Sequence, residues 1–427
     1  MRVDFVNQAA LEAGLPLPVD ALGHQAVASR LLTWSAELPP GSVIAVQGEW
    51  GRGKTDLLAR LAAVTVSDPG PAGAALWLNP WQYGTPDLLS PLIRALNARG
   101  RGKLSPALKS ASERLMKAGL NFGLKGAAAL VPGGQLFDLA APLVGELAGV
   151  AMADDLDADP VACMAQDFCD LTQAILGDYS GVGSRLLVCV DDLDRCAPNR
   201  QMALLQGLRF LLAAGAPVTV LVALDPFLAR EGVRRAYGSQ GVDADRYLDK
   251  IFDLRVSLPG LRAQAVQTFW AARLAAPVLT PAGERPLGER LPAAITQVSV
   301  GQIAPVQSLR NPRVLSRLAA KLALLQSTGD VPETPTPAHA ETLLLWMAMG
   351  ERWPVHRALV QSGEHFAQRL SAVARQVGRD QSQVYDGDPE VQALAPDAAL
   401  AKVLMTLLEG DMAWLEQAAG TLAALGI

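Results

Sequence analysis

The densest chemistry in the sequence lies between Val43 and Ala63, VIAVQGEWGRGKTDLLARLAA. Gly48 and Gly53 frame Glu49, Trp50, Gly51 and Arg52, and Lys54, Thr55 and Asp56 follow, completing G-x-x-x-x-G-K-T. Glycines let a backbone turn tightly enough to aim successive N–H groups at one anion. A helix beginning at that point adds the positive end of its dipole. In such a loop Lys54 reaches the β- and γ-phosphates of a nucleotide, and the Thr55 hydroxyl reaches Mg2+. Residues 48–56 are therefore the expected phosphate-binding set, with ATP and Mg2+ as the expected ligands.

A second constellation is RLLVCVDDLDR, residues 185–195, where the apolar run Leu186 to Val190 ends in Asp191 and Asp192. A carboxylate that ends a buried strand can hold Mg2+ beside a triphosphate, so Asp191 joins Thr55 as an expected metal ligand. The adjacent acid can orient and polarise an attacking water, which makes Asp192 the candidate general base. A dication between them offsets the repulsion of two neighbouring carboxylates. Asp225 ends the next apolar run, Val218 to Leu224. It either senses the γ-phosphate or the lytic water, or caps the helix that Pro226 begins. Asn79 closes a further strand and reads mainly as a turn former, while Trp77, Trp81 and Tyr83 read as packing residues.

These side chains need elements to place them. Val43 to Gln47 is short, apolar and β-branched, as a buried strand should be. Leu57, Leu58, Leu61 and Ala62 recur at helical spacing after the loop, and residues 21–38 form an amphipathic helix before it. Further strands are expected at 74–79, 186–190, 218–224 and 252–256, with helices at 91–98, after Pro160, and at 200–214. Strands alternating with helices imply a parallel sheet whose ligands sit at the carboxyl ends of its strands. The expected fold is α/β, a P-loop NTPase with a mostly parallel five-stranded sheet and a C-terminal all-helical region. The expected domains are a core over 1–260, a helical lid-like subdomain over 261–330, and a C-terminal helical domain over 340–427, with a Pro/Thr linker at 331–339.

Residues 100–155 interrupt the α/β rhythm. The apolar stretch at 126–152 is divided by Asp138 and Glu146 and broken by Pro132-Gly133-Gly134, whereas a membrane span needs roughly twenty mostly apolar residues. Soluble or interfacial helices are expected there, with peripheral attachment to the inner face of a membrane as the alternative to a cytoplasmic protein. The acids Asp154, Asp155, Asp157 and Asp159 lack the glycine and glutamate positions of a calcium loop, so a solvated helix start is expected. The chain of 427 residues is 50% hydrophobic and 19% charged, a composition of folded domains. Its net charge of −5 disfavours a broad nucleic-acid surface but leaves a local patch open. No secretory signal is visible at the N-terminus. Cys163, Cys169, Cys189 and Cys196 form no C-x-x-C pair and have no nearby histidines, and Cys189 reads as a small core residue.

The blocks GEWGRGKT, LWLNPWQYG, VCVDDLDR, ALDPFL, RYLDKIFDLRVSLP and LRNPRVLSRL together resemble the KAP family of P-loop NTPases. They span residues 43–318. The resemblance implies an ATPase core with Lys54 on the phosphates, Asp191 on the metal and Asp192 on the water, and a helical region behind it. It also implies a role in bacterial phage exclusion or signalling assemblies. Many members of that family carry membrane helices where this chain has its insertion. Arg195, Arg246 and Arg313 fall in these blocks. Each can stabilise transition-state charge or simply form surface ion pairs, and Arg313, opening a helix, is the preferred lid contact.

The adjacent acids favour hydrolysis over small-molecule phosphorylation, and no N/T-K-x-D guanine signature is present. A nucleotide-driven switch acting through protein partners or self-association is the leading expectation. An oligomeric motor on protein or DNA is the alternative, for which no pore loop is identifiable in the sequence.

Overall fold

The computed structural model describes residues 20, 22–67, 75–82, 90–100, 104–126, 160–177, 185–237, 242–261, 263–274, 277–280, 283–286, 311–328, 336–360, 365–378, 391, 394–395 and 397–424. The apolar part of the insertion, the acids at 154–159, Tyr83 and linker residues 331–335 lie outside these. The described chain forms two compact units that part between Leu258 and Pro259.

The first unit runs α1 His24–Glu37, β1 Ser42–Gln47, α2 Lys54–Ser67, β2 Ala75–Leu78, α3 Ser90–Arg99, α4 Pro106–Gly126, α5 Pro160–Leu176, β3 Leu186–Val190, α6 Pro198–Leu212, β4 Val218–Leu224, α7 Pro226–Tyr237, α8 Ala244–Ile251 and β5 Leu254–Ser257. Its five strands pair in parallel throughout, in the order β2-β3-β4-β1-β5. Alternate side chains leave opposite faces of a strand, so a strand covered on both faces needs an unbroken apolar run. β1, β3 and β4 meet that requirement. Val43, Ala45, Val188, Val190, Val220 and Val222 share a core with Phe168, Met202 and Leu205 from α5 and α6. Ile44, Val46, Leu187, Cys189, Leu221 and Ala223 share another with Ala28 and Leu31 of α1 and Leu57, Leu58 and Leu61 of α2. Cys189 is fully buried among them, and burial pushes its thiol up to about 12, an inert core group.

The second unit contains α9 Ala263–Leu274, β6 Pro277–Thr280, β7 Gly283–Pro286, α10 Pro312–Thr328, α11 Pro337–Arg352, α12 Val355–Val360, α13 Phe366–Val377, α14 Ala398–Leu408 and α15 Met412–Ala424. Trp270, Leu318, Leu322, Trp346, Leu370, Leu404 and Leu415 all belong to one core. The region is helical as expected, with one addition: β6 and β7 pair as an antiparallel hairpin. Asp397 caps α14 by accepting from the N–H groups of Ala399 at 2.9 Å and Leu400 at 3.0 Å, and its other oxygen takes the Trp353 indole N–H at 2.9 Å. No described helix is long and apolar enough to cross a membrane.

Candidate functional site

The parallel register brings the chemistry-bearing loops to one edge of the sheet. Gln47 at the end of β1 is level with Leu224 of β4, and Val190 of β3 with Val222. Residues 48, 191 and 225 therefore leave three adjacent strands at their carboxyl ends. Gly48 N–H donates to Leu224 O at 3.1 Å, and Asp191 N–H to Leu78 O at 2.9 Å. These bonds carry the ladder one step past the regular strands and fix where the loops begin.

The loop after β1 turns through Gly51 and Gly53, whose φ values of 83° and 91° suit residues without a Cβ. α2 begins immediately at Lys54. The Lys54 Nζ folds back over the loop, donating to Gly48 O at 2.8 Å and Glu49 O at 3.3 Å. It also lies 3.6 Å from Asp194 Oδ2. Glu49 pairs with Arg52 at 3.5 Å.

Thr55 acts on Asp191 from the first turn of α2, its hydroxyl holding the carboxyl down. Asp191 is nearly fully buried, and burial first, then the neighbouring Asp192 charge, push it up to about 6 against the hydrogen bonds from Thr55 and from the Asp192 N–H. Among the described residues that act on this carboxylate are anions and hydrogen-bond donors but no cation. The donor set beside it, a hydroxyl and carboxylates, consists of hard oxygens of the kind Mg2+ takes alongside phosphate oxygens and waters. Thr55 and Asp191 thus fit a Mg2+ ion that fills its remaining positions from the nucleotide and solvent. Among the described residues no cluster of three or more His, Cys, Asp or Glu forms a metal cage.

Asp192 sits at φ 55°, ψ 25°, the one positive φ among the described non-glycine residues. That backbone turns its carboxylate toward the loops. Oδ1 pairs with Arg195 Nε at 2.8 Å and Oδ2 accepts from Asn79 Nδ2 at 3.1 Å. Asn79 also accepts the Trp81 N–H at 3.2 Å through Oδ1, so it makes the turn after β2 and orients the acid at once. Trp77 packs in the core as expected, but Trp81 is 55% exposed and lies under the Arg195 guanidinium at 5.1 Å. Arg195 is also 5.9 Å from the ring centre of Trp50, itself half exposed. Asp225 accepts from the N–H groups of Phe227 at 2.9 Å and Leu228 at 3.4 Å, a helix cap on α7 beside the base of the phosphate loop.

Arg246 and Arg313 are not among these contacts. Arg313 belongs to the second unit, exposed in the first turn of α10, with its N–H held by Asn311 Oδ1 at 3.0 Å. Arg246 is an exposed residue paired with Asp243 at 3.6 Å.

Two participants were not among the residues expected at the site. His24, 3% exposed at the start of α1, bonds Asp56 Oδ2 through Nδ1 at 2.8 Å. Arg60 donates to the same carboxylate at 2.9 and 3.2 Å. Burial works to raise Asp56, but the bonds from His24 and Arg60 outweigh it and hold the carboxyl below its ordinary value. The network locks α1 to the first turn of α2. The other is Asp194, which takes the Trp50 indole N–H at 3.0 Å across 144 positions of sequence. The histidine belongs to no motif, and the acid, though it is the last aspartate of the VCVDDLDR block, has a partner which that block does not reveal.

Three comparisons bear on this arrangement. The KAP family P-loop domain matches residues 26–328. The comparison with curated proteins returns no match. A solved structure, that of the Aeropyrum pernix ORC2 protein in ADPNP–ADP complexes, is similar at 13% identity, with 94% of this chain and 96% of that chain covered and a TM-score of 0.37.

Proposed function

We propose a function on one premise: the chain belongs to the KAP family of P-loop domains. It binds ATP with Mg2+, hydrolyses it, and uses the two nucleotide states as a switch on protein partners or on its own assembly. One observation carries this most directly, the approach of Lys54 Nζ to Asp194 Oδ2 at 3.6 Å, beside the influence of Thr55 on the buried Asp191. It joins the phosphate loop to the end of an acid-bearing strand that lies two places away in the sheet.

Residues 48–56 hold the triphosphate, with Lys54 reaching its β and γ groups. Thr55 and Asp191 hold the metal, which when bound neutralises the developing phosphate charge. Asp192 takes the proton of the attacking water, and Asn79 and Arg195 fix its carboxylate for that task. Asp225 supports the loop as the cap of α7, and any sensing of the γ-phosphate would fall to the oxygen that the cap does not use. Arg313 is the candidate lid residue of the segment over 261–330, and the helical region beyond residue 260 would be the element that moves. An output in phage defence or signalling rests on the family resemblance.

The test compares Lys54→Ala with Asp192→Asn. The first abolishes ATP binding by calorimetry. The second binds MgATP with an affinity near that of the wild type but hydrolyses it about 100-fold more slowly, the lower end of what a general base contributes. Wild-type turnover in Asp192→Asn removes that residue from its role.

A further inference from the structure

We propose that Asp194 is a positioning acid: it holds Lys54 as a counter-charge until triphosphate oxygens replace it, and Trp50 carries that exchange to the protein surface. The inference rests on the nucleotide-binding function above and adds a residue which that function leaves unused.

An ammonium group has three N–H donors. In this structure Lys54 gives bonds to Gly48 O and Glu49 O, and the anion nearest its remaining capacity is Asp194 Oδ2 at 3.6 Å. Both side chains are withdrawn from water, Lys54 9% and Asp194 4% exposed. Their attraction is therefore screened far less than that of a surface pair. The same oxygen also accepts the Trp50 indole N–H at 3.0 Å.

Asp194 lies in the single turn Leu193–Arg195 after β3, yet its carboxylate reaches across to the phosphate loop. A merely structural acid in a turn caps its own backbone, as Asp225 and Asp243 do. Asp194 instead joins the lysine of one nucleotide motif to the loop that carries the acid pair of the other.

One ammonium cannot serve a carboxylate and a phosphate at full strength. Triphosphate binding must therefore shift Lys54 off Asp194, and the freed carboxylate is then held chiefly by Trp50. Asp194 lowers the affinity for nucleotide and makes the loop respond to occupancy. The Trp50 indole, half exposed and near Arg195, reports the change.

The experiment titrates nucleotide-depleted, full-length protein with MgATP by calorimetry and by tryptophan fluorescence, in the wild type, Asp194→Asn and Trp50→Phe. Asp194→Asn is expected to bind ATP about tenfold more tightly, the effect of releasing one screened ion pair. Trp50→Phe leaves Asp194 with Lys54 as its main partner, so it binds ATP severalfold more weakly and loses the fluorescence change seen in the wild type. A folded Asp194→Asn protein with equal or weaker affinity overturns the proposal. Should that variant not fold, unchanged affinity and an unchanged fluorescence response in Trp50→Phe overturn it as well. A wild type that binds no ATP fails the nucleotide-binding function first and this inference with it. A wild type that binds normally beside an indifferent Asp194→Asn removes this inference alone.

Discussion

Asp192 combines two demands in one residue. Its φ of 55° lies where a Cβ crowds the following carbonyl, at a cost of roughly 1–2 kcal/mol for most residues and less for Asp or Asn. Its side chain holds Arg195 and Asn79. Substitution should therefore separate backbone from chemistry. Asp192→Ala is expected to be about 1 kcal/mol less stable to urea than Asp192→Asn, while both lose hydrolysis to a similar degree. Equal stability of the two variants would show that the left-handed backbone is relieved without cost. At this scale the sequence was legible wherever residue type and local spacing define the chemistry. Lys54, Thr55, Asp191 and Asp192 stand together in the structure for that reason. Asp194 and His24 were not legible, because an acid acquires its partner from Trp50, and a histidine from Asp56, only after distant strands have paired. Trp81 was expected to pack, and the arginine that covers it carried no mark in the sequence.

The elements hold the site through the entry to β1. Gly41, at φ 81°, turns the chain into the interior strand β1 and donates its N–H to Val218 O at 2.9 Å. A Cβ there would lie 2.8 Å from Leu212 O, a backbone atom of α6 with little room to move. Gly41→Ala is expected to cost about 2 kcal/mol, from the positive φ and the clash together. The loss should appear in thermal melts and should be partly recovered by MgATP; a melt matching the wild type would mean that α6 yields freely. Strands buried on both faces were readable almost to the residue, since continuous apolar runs are what such a position demands. β5 was placed two residues early because its side chains are only half buried, so no apolar run marks its limits. α6 starts at Pro198, two residues before its expected start: proline suits a first helical turn, and a reading by apolar periodicity misses it. The β6–β7 hairpin escaped notice because Pro277 and Pro286 face each other at its open end, and proline argues against a strand.

At the scale of the whole chain, two units with separate cores invite separate perturbation. The first holds the phosphate loop and the acid pair. The second holds His356, 7% exposed, with its ring 4.3 Å from that of Trp346 and no hydrogen bond on Nε2 among the described residues. Burial first, and then the Lys321 charge, push His356 down to about 4. Glu351 is taken by Lys321 at 2.7 Å and Arg317 at 2.6 Å. An unfolded histidine takes its proton near pH 6.5. Between that value and about 4 the unfolded chain binds more protons than the folded one, so stability falls as pH drops through this window. At pH 5 the loss approaches about 2 kcal/mol. MgATP at a hundred times its Kd adds about 2.7 kcal/mol to whichever unit binds it. Calorimetric melts are therefore expected to show two transitions. MgATP raises one of them at pH 7, acidification to pH 5 lowers the other, and His356→Gln abolishes the acid effect without touching the nucleotide effect. A single transition moved by both treatments would mean that the two cores unfold as one cooperative body, and that the nucleotide state is felt in the helical unit through the folding equilibrium itself.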